Sequence, residues 1–274
     1  MTRVLQISDT HLSPGKRHFR GNWTPLRDWA LRQEPDLIIH TGDLTVDGAD
    51  TEDDMRDGAT LMRSLCAPVL AVPGNHDVGE AANRHQPVND ERLARWRRHF
   101  GDDWWVRDVD NWRLVGLDAM LFGAGIEEEA RQLQWLDGIL ASAKGRRIAW
   151  FMHRPLFIES PDEPDTGYWS VKPRERALLM ERIRRHRVAL VATGHLHKWR
   201  DVEVDGCRYV WCASSGFLVG PDNQPDIPGE KRLGAAVYEF EDSNVSVHHV
   251  DVPGLSIFWI DDVIHEVYPP RHAG

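Results

Sequence analysis

The stretch 3-RVLQISDTHL-12 decides the fold. Residues 3–8 form a short apolar run that breaks at once into Asp9-Thr10-His11, followed by a polar loop with Pro14 and Gly15. Such a run reads as a buried strand, and side chains capable of chemistry sit at its carboxyl end. The same wording returns at 36-DLIIHTGD-43, where residues 36–40 are the apolar run and Asp43 follows. It returns again at 68-PVLAVPGNHD-77, where residues 68–72 precede Asn75, His76 and Asp77. Between these runs, residues 25–33, 51–65 and 90–100 read as helices, the second with an acidic first turn that suits the helix dipole. Strand and helix alternate through the first hundred residues, which predicts an α/β class.

A second set follows. Residues 105–108 and 112–117 read as two strands joined by a turn at Asp110-Asn111. Residues 127–143 read as an amphipathic helix, with Ala130, Leu133, Leu136 and Leu140 at helical spacing. Residues 147–152 read as a strand leading to His153, and residues 173–187 as a helix with proline at its start and a basic last turn. Residues 188–192 read as a strand ending at Gly194-His195-Leu196-His197. Further strands are expected at 201–204, 208–212, 235–239 and 245–250. No repeat, low-complexity run or linker divides the chain, so residues 1–274 read as one domain. The apolar tail within 251–274 is expected to pack on the body or on a second subunit, which would make a homo-oligomer.

Composition narrows the function. A chain of 274 residues, 41% of them hydrophobic, can bury a core without disulfides or a structural metal. No apolar run reaches the ~18 residues of a membrane span. The N-terminus reads as a strand and not as a signal peptide, so a cytoplasmic location is expected. The three cysteines, Cys66, Cys207 and Cys212, are scattered and odd in number, as reduced thiols would be. With 43 acids against 33 bases the net charge is −10, which disfavours general nucleic-acid binding.

In open α/β sheets, ligands bind at the carboxyl ends of the strands. Five such ends here carry Asp9 and His11, Asp43, Asn75 and His76, His153, and His195 with His197. Imidazole and carboxylate suit borderline divalent metals, and the absence of cysteine excludes a structural zinc finger. The ligand number suits two ions sharing a carboxylate, an arrangement that clamps phosphate and activates water. In an extended segment the D-x-H and H-x-H pairs would each point one way.

The ordered set Asp9-Thr10-His11, Gly42-Asp43, Gly74-Asn75-His76-Asp77, His153 and Gly194-His195-Leu196-His197 resembles the calcineurin-like metallophosphoesterase superfamily. Its SDTH and PGNHD wording looks most like the bacterial cyclic-nucleotide and glycerophosphodiester phosphodiesterases. The resemblance implies the metallo-dependent phosphatase fold, a four-layer αββα sandwich of two mixed sheets flanked by helices. It implies that Asp9, His11 and His197 hold one metal, that Asn75, His153 and His195 hold a second, and that Asp43 bridges them. Iron, manganese or zinc would fill the two places. His76 would contact the phosphate and protonate the leaving oxygen, with Asn75 also near the substrate, and Asp77 would orient His76. Where the family often has a second histidine before proline, this chain has Arg154, which touches substrate or forms a salt bridge holding its loop.

Arg17 and Arg20, close behind the first motif, are further candidates for substrate contact, as are Tyr168 and Trp169 for a pocket wall. Residues 182–187 read as a solvated helix end. The expected function is hydrolysis of small phosphodiesters by in-line attack of a metal-bridging hydroxide. The alternatives are a phosphomonoesterase or broad-specificity metallophosphatase acting on a small metabolite, and a non-enzymatic scaffold. The intact ligand set argues against the scaffold.

Overall fold

The structure is a computed structural model that describes residues 1–65 and 67–269. Cys66 lies outside the described residues; Cys207 and Cys212 are buried, free thiols. In chain order the strands are β1 (Thr2–Ile7), β2 (Leu37–His40), β3 (Val69–Ala71), β4 (Trp105–Val109), β5 (Trp112–Leu117) and β6 (Arg147–Met152). They continue with β7 (Val188–Thr193), β8 (Arg200–Val204), β9 (Cys207–Trp211), β10 (Ala235–Phe240) and β11 (Val245–Val250). The helices are α1 (Trp23–Arg32), α2 (Glu52–Arg63), α3 (Asn75–Val78), α4 (Asp90–Phe100), α5 (Glu127–Ala141), α6 (Pro173–His186) and α7 (Ile264–Val267).

The strands form two mixed sheets, one in the order β11-β10-β1-β2-β3 and the other β4-β5-β6-β7-β9-β8. In the first, β1, β2 and β3 are parallel, and β10 and β11 join antiparallel. In the second, β5, β6, β7 and β9 are parallel, with antiparallel β4 and β8 at the edges.

Side-chain alternation stacks the layers. Along β1, Val4 faces the second sheet beside Phe151, Leu190 and Tyr238. Leu5 and Ile7 face the other way, onto Leu26 and Trp29 of α1 and Met62 of α2. The second sheet repeats this. Leu114 and Phe151 face the first sheet, while Val115, Trp150 and Met152 pack on Leu136 and Leu140 of α5 and Leu179 and Ile183 of α6. The result is the four-layer αββα sandwich. Gln6 ties the two sheets together, donating to Thr41 Oγ1 at 2.8 Å and to the Thr193 carbonyl at 3.1 Å while Tyr238 donates to it at 2.5 Å. A buried amide satisfied on three sides fixes the register of one sheet on the other.

Element boundaries follow local chemistry. Asn89 caps α4 by accepting the Arg92 N–H, and Pro173 opens α6, where no amide proton is needed. Helix α1 starts at Trp23, two residues before Pro25, because proline is tolerated anywhere in the first turn. The single turn α3 has no counterpart in the sequence reading. Among the described residues, no helix is long and apolar enough to cross a membrane.

Candidate metal centre

β1, β2 and β3 of one sheet and β6 and β7 of the other end at the same edge of the sandwich. The loop after β1 runs beside the loop after β2: Asp9 N–H donates to the Gly42 carbonyl, His11 to Asp43 and Leu12 to Leu44, at 2.8–3.1 Å. These loops are unusual in their backbone. Asp9, His11, Asp43, His195 and His197 all have positive φ, between 44° and 73°. The expectation that each D-x-H and H-x-H pair is extended is therefore corrected. The left-handed backbone at alternate residues turns these side chains inward. Each such non-glycine residue costs on the order of 1 kcal/mol or more, and such strain gathers at functional sites.

Glycines allow the close approach. A Cβ on Gly74 would strike the backbone and carboxylate of Asp43, and one on Gly194 would strike Ser8 and Asp9. Removing the side chains lets these turns bring their neighbours together.

Three groups of potential ligands result: Asp9 with His11 and His197, Asp43 with His153 and His195, and His11 with Asp43 and His76. Within each, the ligand atoms lie within 4.8 Å of one another. Asp43 is common to two of them. Its Oδ2 is 3.3 Å from His153 Nε2, 3.9 Å from His11 Nε2 and 4.0 Å from His76 Nε2. Asp9 Oδ1 is 3.4 Å from His197 Nε2.

The imidazoles are oriented from behind. His197 Nδ1 meets the Phe217 carbonyl at 2.8 Å, His153 Nδ1 the Thr41 carbonyl at 2.8 Å, and His195 Nε2 the Tyr168 carbonyl at 2.9 Å. A carbonyl only accepts, so each of these ring nitrogens carries the proton. The opposite nitrogens, Nε2 of His197 and His153 and Nδ1 of His195, turn inward. Metal-ligating histidines are held in this way. Asn75 donates from Nδ2 to Tyr168 Oη at 3.3 Å, while its Oδ1 is buried without a hydrogen-bond partner. A carbonyl oxygen stranded beside inward-facing imidazoles fits a cation.

Without a cation, Asp43 and His153 form a charged pair, and a metal ion entering between them would take the place of the His153 Nε2 proton. Burial opposes ionisation of Asp43, but His153 and then His76 outweigh it and hold the carboxyl well below its usual range. Burial also pulls against the charge on His153, which Asp43 nonetheless raises to about 9. Burial lowers His11 and His195, so both stay neutral and able to ligate. His76 differs from the rest. Its side chain is 20% exposed, against 2% for Asp43, and it lines a cavity of about 270 Å³ with Lys16, Asp47, Asn83, Gln86 and Tyr268.

Two expectations are corrected. Asp77 does not orient His76, because both its oxygens accept from the Leu44, Thr45 and Gly74 amides and the Thr45 hydroxyl. It ties the Asp43 loop to the first turn of α3. Arg20 forms a two-pronged pair with Asp57 of α2, which occupies its guanidinium. Arg17 is exposed on the same loop. Arg154 pairs with Glu80, lies 5.6 Å over the Tyr168 ring, and borders a cavity of about 210 Å³ with Met120, Phe122 and Lys172. Tyr168, read as a pocket wall, does line that cavity. A larger cavity of about 580 Å³, at Arg97, Trp104 and Trp135, contains none of the strand-end residues.

Sequence reasoning missed Tyr268. Its hydroxyl is 2.8 Å from His11 Nδ1, and its ring lies 4.4 Å from that of His76.

Comparison with known proteins agrees with this construction. The chain is 25% identical over 267 residues to a protein of Arcobacter nitrofigilis named probable glycerophosphodiester phosphodiesterase GpdQ, covering 90% of this chain and 88% of that one. It is 29% identical over 204 residues to the zebrafish (Danio rerio) serine/threonine-protein phosphatase CPPED1, covering 70% of this chain and only 63% of the relative. The fold matches that of the purple acid phosphatase PPD1 of yellow lupin, with a TM-score of 0.68 at 14% identity over 94% of this chain and 52% of that one. The model of the calcineurin-like phosphoesterase family matches residues 2–199, a span that holds all five motifs. The chain belongs to the calcineurin-like phosphoesterase family.

Proposed function

We propose that the protein is a two-metal hydrolase of small phosphodiesters. Asp9, His11 and His197 would hold one ion and Asn75, His153 and His195 the other, with Asp43 between them. The observation that carries this reading is the position of Asp43 Oδ2, within 4 Å of nitrogens from both histidine sets. Bound there, two ions would polarise phosphoryl oxygens and lower the pKa of a water. Iron, manganese and zinc all suit the donor set.

The chain's own residues supply the rest. His76 stands at the mouth of the polar cavity and is placed to hold a proton for the departing alkoxide. Asn75 is fixed by Tyr168. The nearby cations, Lys16 and Arg154, are already paired with Asp47 and Glu80. A monoester dianion carries one more charged oxygen than a diester and needs a further cation. The commitment of both cations to carboxylates therefore favours the diester. The name of the Arcobacter relative supports this choice, whereas that of the zebrafish relative would suit a monoesterase.

Two measurements test the proposal. Metal analysis of the wild type should find two ions per chain, and Asp43→Ala should lose both. With Mn²⁺, kcat/KM for bis-nitrophenyl phosphate should exceed that for nitrophenyl phosphate. A clear monoester preference would overturn the diesterase reading and leave the metal reading standing.

A further inference from the structure

The family match ends at residue 199, yet two of the contacts that orient the centre come from beyond it. The Phe217 carbonyl holds His197 Nδ1, and the Tyr268 hydroxyl holds His11 Nδ1. Both histidines belong to the same proposed ion. The two contacts are also joined to each other. The Leu218 amide donates to the Phe258 carbonyl at 2.8 Å, and the Ile260 amide donates back to Leu218 at 3.0 Å.

The tail that carries Tyr268 is well anchored. Ile260 and Val267 pack with Phe19, Val46 and Phe217 in a buried cluster. Asp261 accepts the Gly220 amide at 2.6 Å, and Lys16 Nζ donates to the Val267 carbonyl at 2.7 Å. His18 meets Glu266 at 3.0 Å. Tyr268 itself makes two contacts with different consequences. Its hydroxyl is within hydrogen-bond distance of His11 Nδ1, and in the tautomer that ligates a metal through Nε2 it accepts the Nδ1 proton while Nε2 faces Asp43 and His197. Its ring packs at 30° against His76, the histidine that opens to the cavity.

We propose that Tyr268 is a positioning residue of the centre: its hydroxyl fixes the direction of the His11 ring, and its ring fixes the imidazole of His76. For the other three imidazoles the same service comes from backbone carbonyls, which a mutation cannot remove. His11 alone depends on a side chain. The C-terminal tail is then a working part of the site, coupling one ion and the proton donor through one residue. This inference rests on the two-ion reading above.

The test uses the full chain, stripped with a chelator, folding checked by circular dichroism, and titrated with Mn²⁺ by calorimetry. The wild type should take up two ions. Tyr268→Phe, which keeps the ring, should weaken one ion by ~10–100-fold, as loss of such a supporting partner does, and leave the other in place. A series of aryl phosphodiesters reads His76. Tyr268→Phe should keep the wild-type dependence of kcat on leaving-group pKa, and Tyr268→Ala should steepen it. Wild-type affinity for both ions in Tyr268→Phe, or an unchanged slope in Tyr268→Ala, overturns the inference. Should Tyr268→Ala fail to fold, the metal titration of Tyr268→Phe decides alone. A wild type that takes up no metal would instead overturn the two-ion reading, and this inference with it.

Discussion

His11 and His197 face each other through their Nε2 atoms at 3.3 Å. The Phe217 carbonyl fixes a proton of His197 on Nδ1, which in the metal-ligating form leaves the Nε2 lone pair facing the partner ring. Both rings are buried, and Asp9 and Asp43 lie beside them. A cation between these donors removes their mutual repulsion. Metal binding is therefore folding free energy as well as catalytic equipment. At an ion concentration 100 times Kd, each ion contributes about 2.7 kcal/mol, so even one ion means ~5–10 °C in Tm for a chain of this size. Thermal melts with EDTA and with Mn²⁺ should differ by at least that much. Identical melts would count against a preformed metal centre here.

His76 is the one imidazole of the cluster with substantial exposure, and its ring is held by Tyr268 and not by a carbonyl. His76→Ala should keep two ions per chain and lose ~10²–10⁴-fold in kcat, the usual contribution of acid–base catalysis. The loss should shrink for nitrophenolate, which leaves without a proton. An equal loss for good and poor leaving groups would assign His76 to phosphate binding alone.

The strand ends were legible because burial writes them plainly. An apolar run that stops abruptly at Asp, Asn or His marks a sheet edge that meets a ligand, and both sheets follow this rule. What local pattern could not show was how the side chains turn inward. The left-handed backbone at Asp9 and His195 depends on the neighbouring loops and on the space left by Gly194. The resemblance pairs Asp77 with His76, its neighbour in sequence. In the first turn of α3, a carboxylate reaches back to the amides that open the helix, and Asp77 does so. Arg20 was placed near substrate by its distance from Asp9, but a 3₁₀ turn over Arg20–Asn22 directs it to Asp57. Tyr268 meets His11 across 257 residues, a separation for which local sequence carries no signal.

Asp118 offers a test of pH dependence away from the centre. Its Oδ1 caps the turn after β5 by accepting the Met120 amide at 2.8 Å, while its buried carboxyl also meets that of Asp103, to which the protonated acid donates. Burial, and then the charge of Asp103, raises its pKa well above the ordinary carboxyl value. The native group keeps its proton where the unfolded chain, with a pKa of about 3.9, has lost it. The unfolded state then binds fewer protons, so this site lowers stability as pH rises above 4, until the native carboxyl itself ionises. Asp118→Asn keeps the cap and supplies a permanent donor. It should raise Tm at pH 8, with the advantage narrowing towards pH 4. A mutant no more stable at pH 8 than the wild type would refute the raised pKa.

The pairing of Arg154 with Glu80 sets the last expectation. Both side chains are only 12% exposed, and the guanidinium also lies over Tyr168, which holds Asn75. With Glu80 ionised, the positive charge is already balanced and is not available to a third phosphate oxygen. Glu80→Gln keeps the shape of the side chain and removes its charge. Arg154 would then be an uncompensated cation at the edge of the 210 Å³ cavity, against Tyr168, whose ring lies 4.6 Å from that of His195. A hydrogen bond to a charged group contributes about 1.5–3 kcal/mol, so the ratio of kcat/KM for nitrophenyl phosphate to that for its diester should rise ~10-fold or more. Arg154→Met in the Glu80→Gln background should cancel the gain, because the effect passes through the guanidinium. If Glu80→Gln leaves the ratio unchanged, Arg154 does not reach the phosphate, and its role is to brace the loop against Tyr168.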